Sequence, residues 1–197
     1  AMQQAVVDVV ANGGVDMLVN NAGISQRSQA LETALEVDRK VMELDYFSQI
    51  ALTKLVLPSM VERGSGYVLA VASVAGKLGA PQRSAYSAAK HALIGFMDCL
   101  RNEMATKGIK VHVVAPGFVQ TPIAQSAITG DGSNFGEADP DIENGIPVDV
   151  FTQKLLKHLE KGTPEIVIAN GIGWVSYHWH RLMPNTFLKM MPKLMKV

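Results

Sequence analysis

The chain has almost no cysteine. Cys99 stands alone among 197 residues, so no internal disulfide can staple the fold and stability must come from a packed core. Such sparse thiol usage fits a reducing compartment, and a cytoplasmic protein is expected. Charge of one sign is not in excess either. Lysine plus arginine total 18, as do aspartate plus glutamate, which argues against nucleic acid or an acidic polymer as a partner. No apolar run reaches the ~20 residues that a membrane-spanning helix needs. Internal repeats and composition shifts are also missing, so one domain over residues 1–197 is expected.

What is present alternates. Met17–Asn20 reads as a short apolar strand, and residues 33–63 as a helical stretch stopped by Gly64-Ser65-Gly66 and interrupted near Pro58. Residues 67–72 read as a buried strand. Ala85, Ala89, Ala92, Leu93, Phe96, Met97, Leu100 and Met104 then recur at helical spacing, to a stop at Lys107-Gly108. Residues 109–115 form a further strand before Pro116-Gly117, and a helix over 148–161 leads to a strand over 165–169. Strand and helix in alternation predict an α/β fold, a Rossmann-like doubly wound parallel sheet with helices on both faces. The chain begins at Ala1 inside what reads as a helix ending at Asn12-Gly13-Gly14. The expected sheet is therefore incomplete at its amino-terminal side.

Tyr86 and Lys90 lie four residues apart on the long helix, which puts both side chains on one face. A lysine ammonium beside a phenol favours the phenolate, and a phenol so tuned exchanges protons near neutral pH. Taken alone, the pair would be an ordinary surface pair. Ser73, thirteen residues before Tyr86, stands at the carboxyl end of the preceding strand. Two other strand ends carry Asn20-Asn21-Ala22-Gly23 and Pro116-Gly117-Phe118-Val119-Gln120-Thr121. Open α/β sheets bind ligands at these carboxyl ends, and here three of them converge in sequence character.

In this order and spacing the motifs resemble the short-chain dehydrogenase/reductase family from residue 1 to about residue 169. The resemblance implies an NAD(P)-dependent oxidoreductase acting on a carbonyl/alcohol pair, with NADP slightly favoured over NAD. It implies that Ser73 hydrogen-bonds the substrate oxygen, that Tyr86 exchanges the proton, and that Lys90 binds the nicotinamide ribose and favours the phenolate. Asn20, Ala22 and Gly23 would pack against the cofactor, with Pro116, Gly117, Val119 and Thr121 around the nicotinamide carboxamide. The stretch Leu52-Thr53-Lys54 and Leu57-Pro58-Ser59-Met60 resembles the branch that takes apolar substrates.

Two departures stand out. The family's usual asparagine is replaced by Asp45. Its backbone carbonyl could serve the same proton relay, its charge could hold Lys90 as ammonium, or it could be a plain helix-face aspartate. The family's opening strand, Gly-rich phosphate loop and first helix have no counterpart in the sequence, so the pyrophosphate cradle is not encoded in these residues. This leaves room for a catalytically silent Rossmann-like scaffold as the alternative function. A sugar-nucleotide epimerase, which shares Tyr-x-x-x-Lys, would carry a larger carboxyl-terminal substrate domain than the tail that follows residue 169.

Residues 122–147, rich in glycine and acid, read as a lid. The tail over 171–197 is apolar and basic. Trp174, Trp179, Met183 and Phe187 are expected to wall an apolar pocket, and Met190, Met191, Leu194 and Lys196 belong to an amphipathic end. The tail covers the pocket or a neighbouring subunit, with peripheral contact to an anionic membrane as the second reading. No metal is expected, although His178-Trp179-His180 offers two ligands. Cys99 is expected in the core. Ala92, Phe96, Cys99 and Met104 offer a stripe for a homodimer or homotetramer, pairing through helices over 45–63 and 85–107.

Overall fold

The computed structural model describes residues 2–11 and 13–194. Ala1, Asn12 of the expected helix stop and Lys196 lie outside the described residues, as does the side chain of Leu194. The chain runs α1 (Met2–Ala11), β1 (Met17–Asn20), α2 (Leu35–Met42), α3 (Ser48–Arg63), β2 (Gly66–Val71), α4 (Ser84–Met104) and β3 (Ile109–Pro116). It continues with α5 (Pro140–Glu143), α6 (Val148–Glu160), β4 (Glu165–Ile168), α7 (Gly171–Leu182) and α8 (Pro184–Leu194).

The four strands are parallel and lie in sequence order, with Leu18 opposite Val68, Val68 opposite Val111 and Val114 opposite Ile166. Parallel neighbours need crossovers, and the intervening helices supply them. Successive side chains along a strand point to opposite faces. On one face Leu18, Val68, Ala70, Val111 and Val113 pack with Val56 and Met60 of α3 and Leu93 and Met97 of α4. On the other, Leu69, Val114, Ile166 and Ile168 meet Phe151, Leu155 and Leu159 of α6. Val19, whose side chain belongs to this second face, stays 49% exposed.

The expected break near Pro58 does not occur. Helix α3 runs through the proline, which forfeits one backbone bond. Val56 and Met60, fully buried on either side, hold the helix together there. The interruption lies earlier, in a π-helical turn at Glu43–Phe47, the kind of irregularity that tends to sit at functional sites. Here it carries Asp45.

The acidic segment is a packed cover and not a free lid. Ala124, Ala127, Ile128, Ile142 and Ile146 are buried, and isolated parallel bridges join Ile128 to Gln26 and Ile146 to Val119. The tail forms two helices. Tyr177 and Phe187 are buried against Val74 and Leu78, and Glu165 pins the tail by bonds from Tyr177 Oη (2.9 Å) and Arg181 Nη1 (3.3 Å), while it also accepts Lys77 Nζ (2.9 Å) from the turn after β2. Among the described residues no helix is long and apolar enough to cross a membrane. Cys99 is exposed, because it lies on the solvent side of α4, whose buried face is Leu93, Met97 and Leu100.

Candidate active site

Because all four strands are parallel, their carboxyl ends open on one edge of the sheet. A cavity of about 520 Å³ lies there. Ser73, Tyr86, Lys90, Pro116, Gly117, Val119 and Thr121 all line it, together with Gly23. Helix α4 starts beside the end of β2 and delivers Tyr86 and Lys90 from its first two turns. The connection is tight. A short 3₁₀ turn follows Ser73, and a Cβ placed on Gly76 would stand 2.9 Å from the Lys90 backbone carbon. Only glycine lets the turn seat on α4, and this close seating brings Ser73 to the same cavity as Tyr86 and Lys90. Ser73 Oγ accepts the Ala75 N–H at 3.1 Å and so caps the turn.

Lys90 is 3% exposed, with its Nζ 5.6 Å from the centre of the Tyr86 ring. Nζ donates to the Val71 carbonyl at 3.1 Å and stands 3.2 Å from Asp45 Oδ2. The other carboxylate oxygen, Asp45 Oδ1, accepts the Ile24 N–H at 2.8 Å. Thus Asp45 is no helix-face residue: it clamps the turn after β1 and the lysine together. Burial pushes its carboxyl above the ordinary range, while the charge and hydrogen bonding of Lys90 and the Ile24 N–H work in the opposite direction. Gly23 fits between them, since a Cβ there would come within 2.8 Å of Asp45 Oδ2.

Asn20 does not face the cavity as expected. It is buried, and its Nδ2 donates to Thr53 Oγ1 at 2.8 Å. Ala22 is exposed and absent from the lining, while its carbonyl accepts Gln49 Nε2 at 2.6 Å. Asn21 and Gly23 supply the lining from this turn. Sequence reasoning missed Gln49 and Thr53. Their signal was a polar residue every fourth position, Asp45, Gln49 and Thr53, all buried, which is a stripe on one helical face. Arg27 and Arg83 were also missed and line the cavity.

The tail's contribution differs from expectation as well. Ile172, Gly173, Ser176 and Met191 reach the cavity, whereas Trp174, Trp179, Met183 and Phe187 do not. Trp174 is half exposed with its ring 4.2 Å from that of His178, and Phe187 is committed to the core against Trp179 and His180. A helix presents one face per 3.6 residues, so the more apolar side chains were not the ones turned inward.

A family profile described as short chain dehydrogenase matches residues 1–131. The chain belongs to the short-chain dehydrogenase/reductase family. Among curated relatives it is 42% identical over 179 residues to dehydrogenase/reductase SDR family protein 7-like of Drosophila melanogaster and to dehydrogenase/reductase SDR family member 7B of Mus musculus. In each case the match covers 91% of this chain and 55% of the relative, so the chain spans about half the length of the curated relatives it matches. Among solved structures, a short-chain dehydrogenase from Streptomyces avermitilis superposes with a TM-score of 0.78 at 30% identity, over 99% of this chain and 76% of that one. One from Burkholderia cenocepacia, solved in complex with NADP, gives 0.77 at 21% identity over 94% and 72%, a likeness of fold.

Proposed function

We propose that the protein is an NAD(P)-dependent oxidoreductase that interconverts an apolar ketone or aldehyde and its alcohol. The observation that carries this reading is the single cavity holding Ser73, Tyr86 and a Lys90 ammonium fixed by Asp45. A scaffold has no use for a buried cation beside a phenol, and burying one is costly unless chemistry or packing requires it.

The residues present fit the nicotinamide half of the cofactor. Gly23 leaves an uncluttered wall beside Lys90 Nζ, and Asn21, Gly117, Val119 and Thr121 line the same space. Lys90 would hold the ribose hydroxyls, and Thr121 with the Val119 backbone the carboxamide. A gluconate 5-dehydrogenase from Burkholderia cenocepacia, 26% identical and solved in complex with NADP and tartrate, supports NADP as the first cofactor to try. When bound, the nicotinamide supplies or accepts the hydride.

In the reducing direction the carbonyl oxygen lies against Ser73 Oγ and Tyr86 Oη. Ser73 donates a hydrogen bond that stabilises the developing negative charge. Tyr86 delivers its proton to that oxygen as the carbon is reduced, leaving a phenolate beside the Lys90 ammonium. The oxidation runs through the same atoms in reverse, with the phenolate taking the alcohol proton. The wall around these groups is apolar, with Val74, Leu78, Phe118 and Ile123 among its residues. It supports a substrate with hydrocarbon area to bury, worth about 25 cal/mol per Å².

The test is NADPH oxidation by the full-length protein with ketones of rising chain length. Turnover that climbs with chain length is expected. Tyr86→Phe should cut kcat by about 10²–10⁴ while cofactor affinity stays within a few fold, since only the transferable proton is lost. Full turnover in Tyr86→Phe would remove Tyr86 from the mechanism, and no turnover with any carbonyl would favour the scaffold. Ala92 and Phe96, half-buried beside exposed Cys99, and the exposed Phe47 leave apolar area on α4 and the π turn. That area supports a homodimer or homotetramer, and sedimentation of the full-length protein showing only monomer at micromolar concentration would sink the assembly.

A further inference from the structure

Two guanidinium groups break the apolar character of the cavity. Arg27, four residues beyond Gly23, and Arg83, three residues before Tyr86, both line it. Neither reaches far into solvent, their side chains being 12% and 18% exposed. Arginine is seldom this buried unless it is paired. The pairing here is unequal. One carboxylate, Asp139, accepts Nη2 of Arg27 and, at 3.0 Å, Nη2 of Arg83. Asp141 adds its field to Arg83 without forming an ion pair to it. Among the described residues Arg27 Nε is buried with no acceptor, and the Arg27 guanidinium stands 5.8 Å from the centre of the Phe135 ring.

Two cations against one bonded anion leave a surplus positive charge in the cavity wall. Burial, and next the charge of Arg27, hold the Arg83 guanidinium below its ordinary range, as expected for a cation short of partners. A latch fastening the acidic segment would need one arginine for Asp139. It would have no need for both to border the cavity three residues from Tyr86. A second anion would satisfy the surplus, and the planar guanidinium fork suits carboxylate or phosphate oxygens in pairs.

We infer that Arg27 and Arg83 form an anion subsite at the rim of the catalytic cavity, and that the substrate is amphiphilic, an apolar carbonyl or alcohol bearing a carboxylate or a phosphate. The substrate half of this inference rests on the reading under Proposed function. The anion subsite itself stands independently of it. Asp139 then serves as the resident counter-ion that an incoming anion partly displaces.

The experiment is calorimetric titration of the full-length protein with dodecanoate, dodecyl phosphate and neutral dodecanamide. At least one anion should bind at least tenfold more tightly than the amide, and the tighter of the two identifies the head group. Arg83→Gln should bring that anion down to the level of the amide. Asp139→Asn should tighten the anion several-fold, because the competing carboxylate is gone, whereas a mere latch would let all three ligands weaken together. Equal affinity for amide and both anions in the native protein, or an equal loss for all three in Asp139→Asn, overturns the subsite. If Arg83→Gln fails to fold, the Asp139→Asn comparison alone decides. Oxidation of NADPH with neutral 2-dodecanone is followed in parallel. Arginine-dependent anion binding without any turnover would overturn the oxidoreductase reading and keep the subsite, while turnover without anion preference does the reverse.

Discussion

Two buried clusters of charge border the same cavity, and they are built differently. At its floor Asp45 and Lys90 meet one to one, with side chains 0% and 4% exposed. Within the chain the lysine also donates to the Val71 carbonyl, and the aspartate accepts the Ile24 N–H. At its rim Arg27 and Arg83 share Asp139, and the count does not balance. The floor is balanced in charge and fixes geometry. The rim is left open in charge, which is how a protein keeps an interaction in reserve for a ligand. The two aspartates respond to their settings in opposite ways. Burial raises Asp45 above the ordinary aspartate value of 3.8. Asp139 is also opposed by burial, yet the hydrogen bond and charge of Arg27, then the Asp141 N–H and Arg83, bring it below 3.8.

The largest effect should come from breaking the balanced pair. Lys90→Met leaves Asp45 as a buried carboxylate without its cation and should cost about 3–5 kcal/mol, along with both cofactor affinity and turnover. The double variant Lys90→Met/Asp45→Asn should recover most of the stability and none of the turnover. Denaturant melts of the two variants read this directly. Equal stability in both would mean that the pair is not the dry, mutually dependent unit described above.

A smaller effect separates the two aspartates by the sign of their pH dependence. For Asp45 the folded value is raised, so its contribution is fully present below pH 3.8 and is lost as pH rises through the folded value. For Asp139 the folded value is depressed, so its contribution is present above pH 3.8 and is lost as pH falls through the folded value. Stability of the native protein minus that of Asp45→Asn should therefore fall with rising pH. The same difference against Asp139→Asn should grow. Urea midpoints across pH 3–8, roughly the range over which carboxylates in proteins titrate, would show slopes of opposite sign. Parallel slopes would erase the contrast between floor and rim.

The parts of the site legible in the sequence share a property. Ser73, Tyr86, Lys90 and the Pro116–Thr121 segment are tied to strand ends or to one helix, where spacing together with the family resemblance points to their placement. The lining residues Asn21 and Gly23 follow from the same turn. Asn20 and Ala22 do not line the cavity, because the turn has an inner and an outer side, and only packing against Gln49 and Thr53 says which residue takes which. The tail failed for a similar reason. Its composition announces an apolar surface, but whether Trp174 or Ile172 turns toward the cavity depends on the angle at which α7 leaves β4.

By itself the sequence determined the alternation of strand and helix, the parallel sheet that follows from it and the serine, tyrosine and lysine at its carboxyl edge. Those are consequences of local periodicity and of spacings of a few residues, on which the backbone has little freedom. Only the tertiary structure decided which charges meet. Asp45 reaches Lys90 through a π turn that no propensity announces, and Arg27 finds Asp139 across 112 residues of chain. With 18 cations and 18 anions in the sequence, their number constrains the pairing hardly at all. Burial selects it, because a charge withdrawn from water must find its partner within the fold or wait for one from outside.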